Sequence, residues 1–389
     1  MLLNAAMCLV LLPAMLGAAD FVVAVDGDDT NAGTLEAPFA TVAQAQAAVR
    51  DRIEQGLDKD ITVHIRAGLY RLDAPLVFGP GDSGTADHRI VYAAYPGERP
   101  VLSGGRAITG WQAAANGQWT VEIPGAKNGA WKFRDLYAGD TRLPRGRYPD
   151  GDLLRVLKVN PEVTRIELNR AAPGGDLAGK NTELVVYQNW SISRVLVASS
   201  NDRTLTMTNP VGWIGHGDAT TASPDKPAYL ENALEFVDQP GEWYLDYDSG
   251  VLTYQGAEGE DPNQKDFIAP YLEEWLRIEG RADAPVRNLH FEGLDFKHAA
   301  WELPSFGYLG IQAGHHGTRM DAPTHVLPVA ILFEYAQDCS ITNASLRHTG
   351  ASGIGIGTAG ARNRIAHCTL EDIGGNGMMC GWRGRMAQD

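Results

Sequence analysis

The stretch DCSITNASLRHTGASGIGI (residues 338–356) decides the fold, because it recurs further along as RNRIAHCTLEDIGGNGMMC (362–380). A third copy, NLHFEGLDFKH (288–298), lies upstream of both. The alignment places matching residue types on one another: Ile341 on Ile365, Ala344 on Cys368, Leu346 on Leu370, Gly350 on Gly374, Gly353 on Gly377, Ile354 on Met378, and Phe296 on Leu346. The chain therefore contains a short internal repeat.

Within each copy the apolar residues alternate over short stretches, such as Leu294/Phe296 and Ile354/Ile356, and glycines interrupt the stretches. This pattern is typical of strands and not of helices. Repeats of this length bury their apolar faces only by stacking on their neighbours. The sequence therefore predicts an all-β solenoid, a parallel β-helix with one coil per repeat. A leucine-rich repeat has a similar period, but its LxxLxLxxN/C signature is missing.

The segment after residue 19 predicts a strand, an Asp/Gly turn and a helix that begins at Thr41 or in the region of Pro38 and ends before Gly56. A short amphipathic helix is the usual cover for the exposed first coil of a solenoid. We therefore predict that residues 20–110 form an N-terminal cap and the first coils.

The repeat disappears between about Trp111 and Pro270, where hairpin patterns replace it. In EWYLDYDSGVLTY (242–254), Asp248, Ser249 and Gly250 form the turn between two aromatic-rich strands. We predict an inserted antiparallel β domain at 111–270. The coils then resume over 271–389, interrupted by a loop insertion at 301–328.

The first residues, MLLNAAMCLVLLPAMLGAA (1–19), have the apolar core and small terminal residues of a signal peptide, without a basic residue before the core. The alternative is a buried N-terminal strand. No later stretch reaches the roughly 18 apolar residues of a membrane span. We therefore expect export, to the medium, the periplasm or the cell surface.

Composition limits the partners and the chemistry of the cysteines. The net charge of −15 disfavours nucleic acid, and we expect a monomer. Beyond Cys8 the chain has Cys339, Cys368 and Cys380, an odd number too small for a disulfide framework. The alignment places Cys368 and Cys380 at inward positions, which predicts core residues.

Several segments resemble known families. AVDGDDTNAGTLEAPFATVAQAQAAVR (24–50) resembles the opening of many secreted right-handed β-helix proteins, including pectate-type lyases. WYLDYDSGVLTYQGAEGEDP (243–262), PVRNLHFEGLDFKHAAW (285–301) and GYLGIQAG (307–314) resemble the β-helical glycoside hydrolases of families 120 and 141 and their relatives. The resemblance spans almost all of the mature chain and implies a right-handed, pectin lyase-like β-helix that acts on carbohydrate.

The catalytic carboxylates of such proteins usually lie in later coils, followed by a C-terminal cover. This chain stops at GWRGRMAQD (381–389), directly after an open coil. The resemblance therefore transfers no catalytic pair by position, and it implies a truncated product or a fragment.

His298, His348 and Asp372 form one candidate site. Equivalent residues of stacked coils lie about 4.8 Å apart, so these three side chains should share one column. Histidine beside a carboxylate suits general acid/base chemistry. The alternative is a polar ladder that closes a corner of the coils.

The 301–328 insertion leaves the coils just after His298, and its composition suits a carbohydrate cleft. Its aromatic and polar side chains predict a substrate-binding set of Trp301, Tyr308, Gln312, His315 and His316. The alternative is that Trp301 and Tyr308 only anchor the loop.

Glycoside hydrolysis needs two carboxyl groups about 5–9.5 Å apart. The candidates on the loop and its neighbouring coil are Glu302, Asp321, Glu371 and Asp372. We assign Glu302 and Asp372 as the catalytic pair, with His298 and His348 in support.

Metal patterns are weak, and we predict no cofactor. The turn at 26–31 offers oxygen ligands for Ca²⁺, but it lacks the spacing of an EF-hand loop, so Asx turns explain it better. Zn²⁺ at His315, His316 and His325 is disfavoured because adjacent histidines rarely converge on one ion.

The segment WKFRDLYAGDTRLPRGRYP (131–149) is basic in an acidic protein. Its arginines either bind an anionic sugar or, as the favoured interpretation, tie the insertion to acidic residues of the coils.

These patterns lead to one function hypothesis with two alternatives. The first is an exported glycoside hydrolase-like protein that binds a polysaccharide or oligosaccharide beside the coils. The second is a polysaccharide lyase, which needs a basic residue and commonly Ca²⁺. The third is a non-catalytic glycan-binding or surface protein, or an inactive fragment.

Overall fold

The computed structural model describes residues 20–213, 219–310, 315–316 and 325–381, with the side chains of 315–316 excluded. The predicted signal peptide, Gln312 and Asp321 lie outside the described residues. The described chain is mostly β and contains one α-helix. This content agrees with the predicted all-β class. No helix in these ranges is long and apolar enough to cross a membrane.

The N-terminal part contains β1 (Phe21–Val23), α1 (Val42–Glu54), β2 (Ile61–Ile65), β3 (Gly68–Arg71), β4 (Leu76–Phe78), β5 (Ile90–Ala94) and β6 (Pro100–Ser103), with a 3₁₀ turn at Pro80–Asp82. Of the two predicted helix starts, Thr41 is confirmed, because its side chain accepts a hydrogen bond from the Gln44 amide. Val42, Ala45 and Val49 are buried in the same core as the first strands. Helix α1 therefore packs on the first coils through its apolar face.

The middle of the chain is antiparallel. It contains β7 (Gly105–Ile108), β8 (Gln112–Ala113), β9 (Gln118–Glu122), β10 (Leu136–Ala138), β11 (Thr141–Leu143), β12 (Arg147–Tyr148), β13 (Leu154–Val159), β14 (Arg165–Leu168), β15 (Glu183–Tyr187), β16 (Ile192–Asn201), β17 (Thr204–Met207), β18 (Pro227–Glu231), β19 (Trp243–Asp246), β20 (Val251–Gln255) and β21 (Phe267–Pro270). Short 3₁₀ turns lie at Ala115–Gly117, Leu234–Phe236 and Pro262–Gln264.

These strands form a barrel and two smaller sheets. The barrel closes through the order β13-β14-β17-β16-β15-β18, because β18 pairs with both β13 and β15. The smaller sheets have the orders β8-β9-β20-β19 and β7-β21-β10-β11. The predicted β19–β20 hairpin is confirmed, with Gly250 at a φ of 77° in its turn.

The last part contains β22 (Leu276–Glu279), β23 (Val286–Arg287), β24 (Leu289–Glu292), β25 (Asp295–Ala299), β26 (Tyr308–Leu309), β27 (His315–His316), β28 (His325–Val326), β29 (Val329–Glu334), β30 (Ala336–Gln337), β31 (Ser340–Thr342), β32 (Ser345–Thr349), β33 (Ser352–Ile356), β34 (Arg364–Ala366), β35 (Thr369–Ile373) and β36 (Met378–Cys380).

Three parallel sheets, which we call the coil stack, join the first and last parts of the chain. Their orders are β1-β2-β5-β24-β31-β34, β3-β6-β25-β32-β35 and β4-β22-β29-β33-β36. The chain visits these sheets in a fixed cyclic order and pairs each new strand with its counterpart in the previous coil. The repeat alignment is confirmed: Leu346 pairs with Leu370 and Phe296 with Leu346, and Leu346 is fully buried.

The corners of the coils are ladders of left-handed residues. Each corner needs a positive φ, which Asn, Asp, His and Gly tolerate better than other residues do. The three ladders, one residue per coil, are Asn288, Asp338 and Arg362; Gly293, Asn343 and His367; and His298, His348 and Asp372. The polar residues of the repeat therefore mark its corners.

The inward positions of the coils fill one continuous core. One of the two cysteines predicted to lie in this core does not. Cys339 is buried, and Cys368 packs partly buried against the core. The prediction that Cys380 is a core residue is wrong, because its side chain is exposed on the outermost described coil.

Substitutions at Asn343 test the corner ladder, because this residue has a φ of 53°. Asn343→Val should lower the free energy of unfolding by roughly 1–2 kcal/mol, since a β-branched residue is strained in the left-handed region. Asn343→Gly, the matched control, should leave thermal stability near that of the unmodified chain. Equal melting temperatures for the two variants would contradict the left-handed corner.

Candidate functional site

A cleft lies where the barrel, the β10–β11 hairpin and the corners of the last coils meet. Its larger cavity has a volume of about 340 Å³, within the range of small-molecule sites, and is lined by Arg134, Asp135, Arg142, Leu143, Pro144, Arg145, Arg194, Glu231, Trp301, Gly350, Asp372 and Gly374. A neighbouring cavity of about 220 Å³ shares Arg134 and Arg145 and also contacts Lys132, Glu183, Tyr247 and Glu302. We refer to the two cavities together as the cleft.

Asp372 presents an oriented carboxylate to the cleft. Its oxygens accept hydrogen bonds from Nε of Arg142 at 2.9 and 3.1 Å, and one of them lies 2.8 Å from Nδ1 of His348. Burial by itself would raise the pKa of Asp372, but the hydrogen bonds from Arg142 and His348 outweigh burial and lower that pKa. Asp372 is therefore ionised at neutral pH.

The predicted column of His298, His348 and Asp372 is brought together by the corner ladder. The two imidazole rings stack with their centroids 5.3 Å apart. Tyr137 of β10 covers both rings, at centroid distances of 5.1 Å from His298 and 4.6 Å from His348. All three rings are buried. The inserted domain (111–270) thus covers the histidines, and Asp372 is the column member that lines the cleft.

His298 is held in its neutral form. Burial, followed by the nearby His348, lowers the pKa of His298 to about 3. Its Nδ1 lies 3.0 Å from Oγ of Ser103, which is also buried. A histidine with this pKa does not exchange protons near neutral pH, so its surroundings match the polar-ladder alternative more closely than general acid/base catalysis.

Arg142 joins the insertion to the coil stack. It forms an ion pair with Asp135 on its own hairpin, and its Nη2 donates to the Thr349 carbonyl at 3.0 Å. Its guanidinium also lies 5.1 Å from the centre of the Tyr137 ring. With the bond to Asp372, these contacts confirm for Arg142 the prediction that basic residues tie the insertion to acidic residues of the coils.

Gly350 provides the space for this junction. A Cβ atom at this position would lie 2.9 Å from both Oδ2 of Asp135 and Cβ of Trp301. Any larger residue would therefore displace one wall of the cleft.

The other arginines of the cleft pair with carboxylates of the barrel and not with the coils. Glu183 accepts from Arg134 and Arg145, while Glu231 accepts from Arg145 and Arg194. Burial would raise the pKa of Glu183, but the charges of Arg134 and Arg145 outweigh burial and lower it. Removing one partner of such a buried ion pair lowers the free energy of unfolding by more than the intact pair contributes to it. The cluster is a rigid wall of the cleft.

The 301–328 insertion contributes Trp301 and Glu302 to the cleft. Trp301 stacks with Arg134, whose guanidinium carbon lies 5.1 Å from the ring centre, and contacts Tyr308 at a centroid distance of 6.0 Å. Tyr308 lies on β26, which pairs with barrel strand β16. Glu302 is 55% exposed at its side chain and lies 4.0 Å from Nζ of Lys132. The 301–328 loop therefore packs on the barrel.

The remaining predicted residues are placed only in part. Gln312 lies outside the described residues, and His315 and His316 are described as strand β27, where His316 pairs with His325. The prediction that these histidines do not bind Zn²⁺ is not tested by the described residues. Glu371 forms an ion pair with Arg347 at 3.3 Å on an exposed face and does not line the cleft.

Carboxylates elsewhere in the described chain act mainly as braces. In the 26–31 turn, the Asp28 side chain accepts from the Thr30 amide at 2.8 Å, as in an Asx turn, and Asp29 accepts from two backbone amides and the Thr41 hydroxyl at the start of helix α1. Asp150, Asp238 and Glu242 form one cluster with metal-like spacing. Glu242, however, accepts from three backbone amides, which accounts for its position.

The chain is similar to known proteins in its middle segment and in its fold. Residues 117–256 match the family model described as "GH141 insertion domain". A solved structure described as "Glycoside hydrolase" superposes with a TM-score of 0.75 and 22% identity, covering 92% of this chain and 74% of that one. Another, "The complex structure of XylC with xylose", gives a TM-score of 0.41 and 13% identity, covering 90% and 53%, which supports no conclusion about the fold. No curated protein sequence matches the chain.

The comparisons match two parts of the structure, the inserted domain and the overall fold. The matched insertion-domain segment includes the barrel strands that form one wall of the cleft, and most of the chain superposes on a protein named as a glycoside hydrolase. The sequence prediction missed Asp135, Tyr137 and Glu231. They lie in a region without a repeat, and the basic segment 131–149 was the available pointer to the junction.

The pKa of His298 predicts a pH effect on stability. The folded pKa of about 3 lies below the ordinary 6.5, so the unfolded chain binds a proton that the folded chain excludes. The stability from neutral His298 is complete above pH 6.5 and is lost as the pH falls toward 3. His298→Asn should therefore flatten the decline of the melting temperature between about pH 6.5 and 4.

His367→Asn is the matched control, because His367 also lies at a left-handed corner but is exposed. It should keep the pH dependence of the unmodified chain. Identical slopes for all three proteins would contradict the buried neutral histidine.

The Arg142 junction predicts a loss of stability on substitution. Arg142→Gln should lower the free energy of unfolding by roughly 2–3 kcal/mol, because Asp135 and Asp372 lose a charged donor. Arg170→Gln removes an exposed pair with Asp152 and should have an effect below about 1 kcal/mol. Thermal unfolding compares them, and equal effects would contradict the role of Arg142.

Proposed function

We propose that the protein is an exported, glycoside hydrolase-like protein that binds an oligosaccharide or polysaccharide in the cleft beside a right-handed parallel β-helix. The observation that carries the proposal is the position of Asp372, an ionised and oriented carboxylate, opposite an insertion-domain wall matched by the GH141 insertion-domain model. The cyclic parallel pairing of the coils supports the helical winding. Export rests on the apolar segment at 1–19.

Glu302 and Asp372 are the proposed catalytic carboxyl groups. Asp372, held ionised by Arg142, suits a base or nucleophile, which must carry a negative charge before reaction. Glu302 suits the second group because its side chain is exposed at the cleft and lies 4.0 Å from one cation, whereas Glu183 and Glu231 are engaged by arginines. Trp301 offers a ring face on which a sugar can pack.

The lyase alternative has less support. That reaction needs a base close to the substrate, but the cleft arginines are paired with carboxylates, Lys132 lies 4.0 Å from Glu302, and the pKa of His298 is about 3. The non-catalytic alternative predicts glycan binding without turnover.

The test is an assay of a panel of soluble plant and microbial polysaccharides. The proposal predicts new reducing ends without the ultraviolet absorbance of an unsaturated product. Glu302→Gln and Asp372→Asn should each lower the rate at least roughly 100-fold. Glu371→Gln, beside Asp372 but outside the cleft, should leave the rate unchanged.

Each contrary outcome has a distinct meaning. Unsaturated products would indicate a lyase, and binding without any product would indicate a non-catalytic protein. Near-normal hydrolysis by the Glu302→Ala/Asp372→Ala double variant would contradict the assignment of this pair.

A further inference from the structure

A second concave surface, which we call the Tyr271 groove, lies at another junction of the insertion with the coil stack. It encloses about 710 Å³, and its lining includes Asp73, Arg106, Ala107, Glu122, Trp131 and Tyr271. It adjoins the cleft along the chain, since Trp131 lines the groove and the next three residues line the cleft.

Two aromatic rings form one wall of the groove. Tyr271 is 42% exposed, although a ring of this size is usually better covered. Trp131 meets it edge to face, with centroids 5.9 Å apart and planes at 73°. The indole N–H of Trp131 donates to the Pro270 carbonyl at 2.9 Å, which fixes the ring. The groove thus has a rigid, angled aromatic surface open to solvent.

Fixed polar groups lie against the exposed ring. The guanidinium of Arg106 lies 4.6 Å from the ring centre of Tyr271. Its Nη1 donates to the Leu72 carbonyl at 2.9 Å, and its Nη2 forms an ion pair with Asp73 at 3.1 Å. The Asp73 side chain is 98% exposed, so its oxygens retain room for further hydrogen bonds. Donors and acceptors are therefore positioned beside an apolar face.

We propose that the Tyr271 groove is a second carbohydrate-binding site, which holds a neutral part of a polysaccharide outside the cleft. The C–H face of a sugar ring packs on the part of the Tyr271 ring that Arg106 leaves exposed, and its hydroxyl groups bond to Asp73 and Arg106. The charged lining consists of one cation, Arg106, and two carboxylates, Asp73 and Glu122, so a polyuronate is disfavoured. The choice of a glycan as ligand rests on the proposed function.

Affinity electrophoresis of the full chain tests the groove, with arabinoxylan, galactan, mixed-linkage β-glucan and polygalacturonate in the gel. At least one neutral polymer should retard the chain, and polygalacturonate should not. Tyr271→Ala should weaken that retardation roughly tenfold, whereas Tyr271→Phe keeps the ring and should retain it. The matched control is Trp190→Ala, since Trp190 is 61% exposed and lies outside the groove; its retardation should be unchanged.

A second variant, Ala107→Ile, fills the groove from an exposed position and removes no contact. It should also weaken the retardation roughly tenfold, so the test does not depend on the folding of Tyr271→Ala. The proposal is overturned if no neutral polymer retards the chain, or if Tyr271→Ala and Ala107→Ile bind as the unmodified chain does.

The outcome is separable from that of the proposed function. Retardation that depends on Tyr271 without any hydrolysis would support the groove and contradict the hydrolase. Hydrolysis that depends on Asp372, with binding indifferent to Tyr271, would contradict the groove and leave the hydrolase intact.

Discussion

The in-register stacking of successive coils is the constraint on which the other features depend. Each strand of a new coil pairs with the equivalent strand of the previous one, so residues such as Leu346 and Leu370 become direct neighbours. Because one coil cannot bury its apolar residues alone, the stack stabilises its members collectively. The left-handed corners allow the chain to turn while this register is kept.

Stacking of the coils also positions the functional side chains of the cleft. The corner ladder brings His348 and Asp372 within hydrogen-bond distance. The inserted domain covers the histidines with Tyr137, and its Arg142 donates hydrogen bonds to Asp372. A structural ladder thus ends in one carboxylate that faces the cleft. The insertion contributes the opposite wall, where a buried cluster of arginines and glutamates fixes the geometry.

The sequence predicted those features that have a local or periodic cause. The repeat gave the register, the N-cap at Thr41 gave helix α1, and the column of His298, His348 and Asp372 followed from the spacing. Closure of the barrel joins residues far apart in a chain segment without periodicity, so no pattern predicted it. The basic segment 131–149 indicated a junction with acidic residues of the coils, but it did not identify Asp372 as the partner of Arg142. Exposure of Cys380 depends on what covers the last described coil, which the repeat alone does not specify.

A cysteine-pair experiment tests the register most directly. In a Cys380→Ser background, Ser345→Cys with Thr369→Cys should form a disulfide on mild oxidation, because these residues are register partners on adjacent strands. Ser345→Cys with Glu371→Cys places the thiols two residues out of register, at a Cα separation of about 8 Å, which is too far for a disulfide. Peptide mass mapping should find the first disulfide and not the second. The reverse result would contradict the stacking from which the fold and the cleft are built.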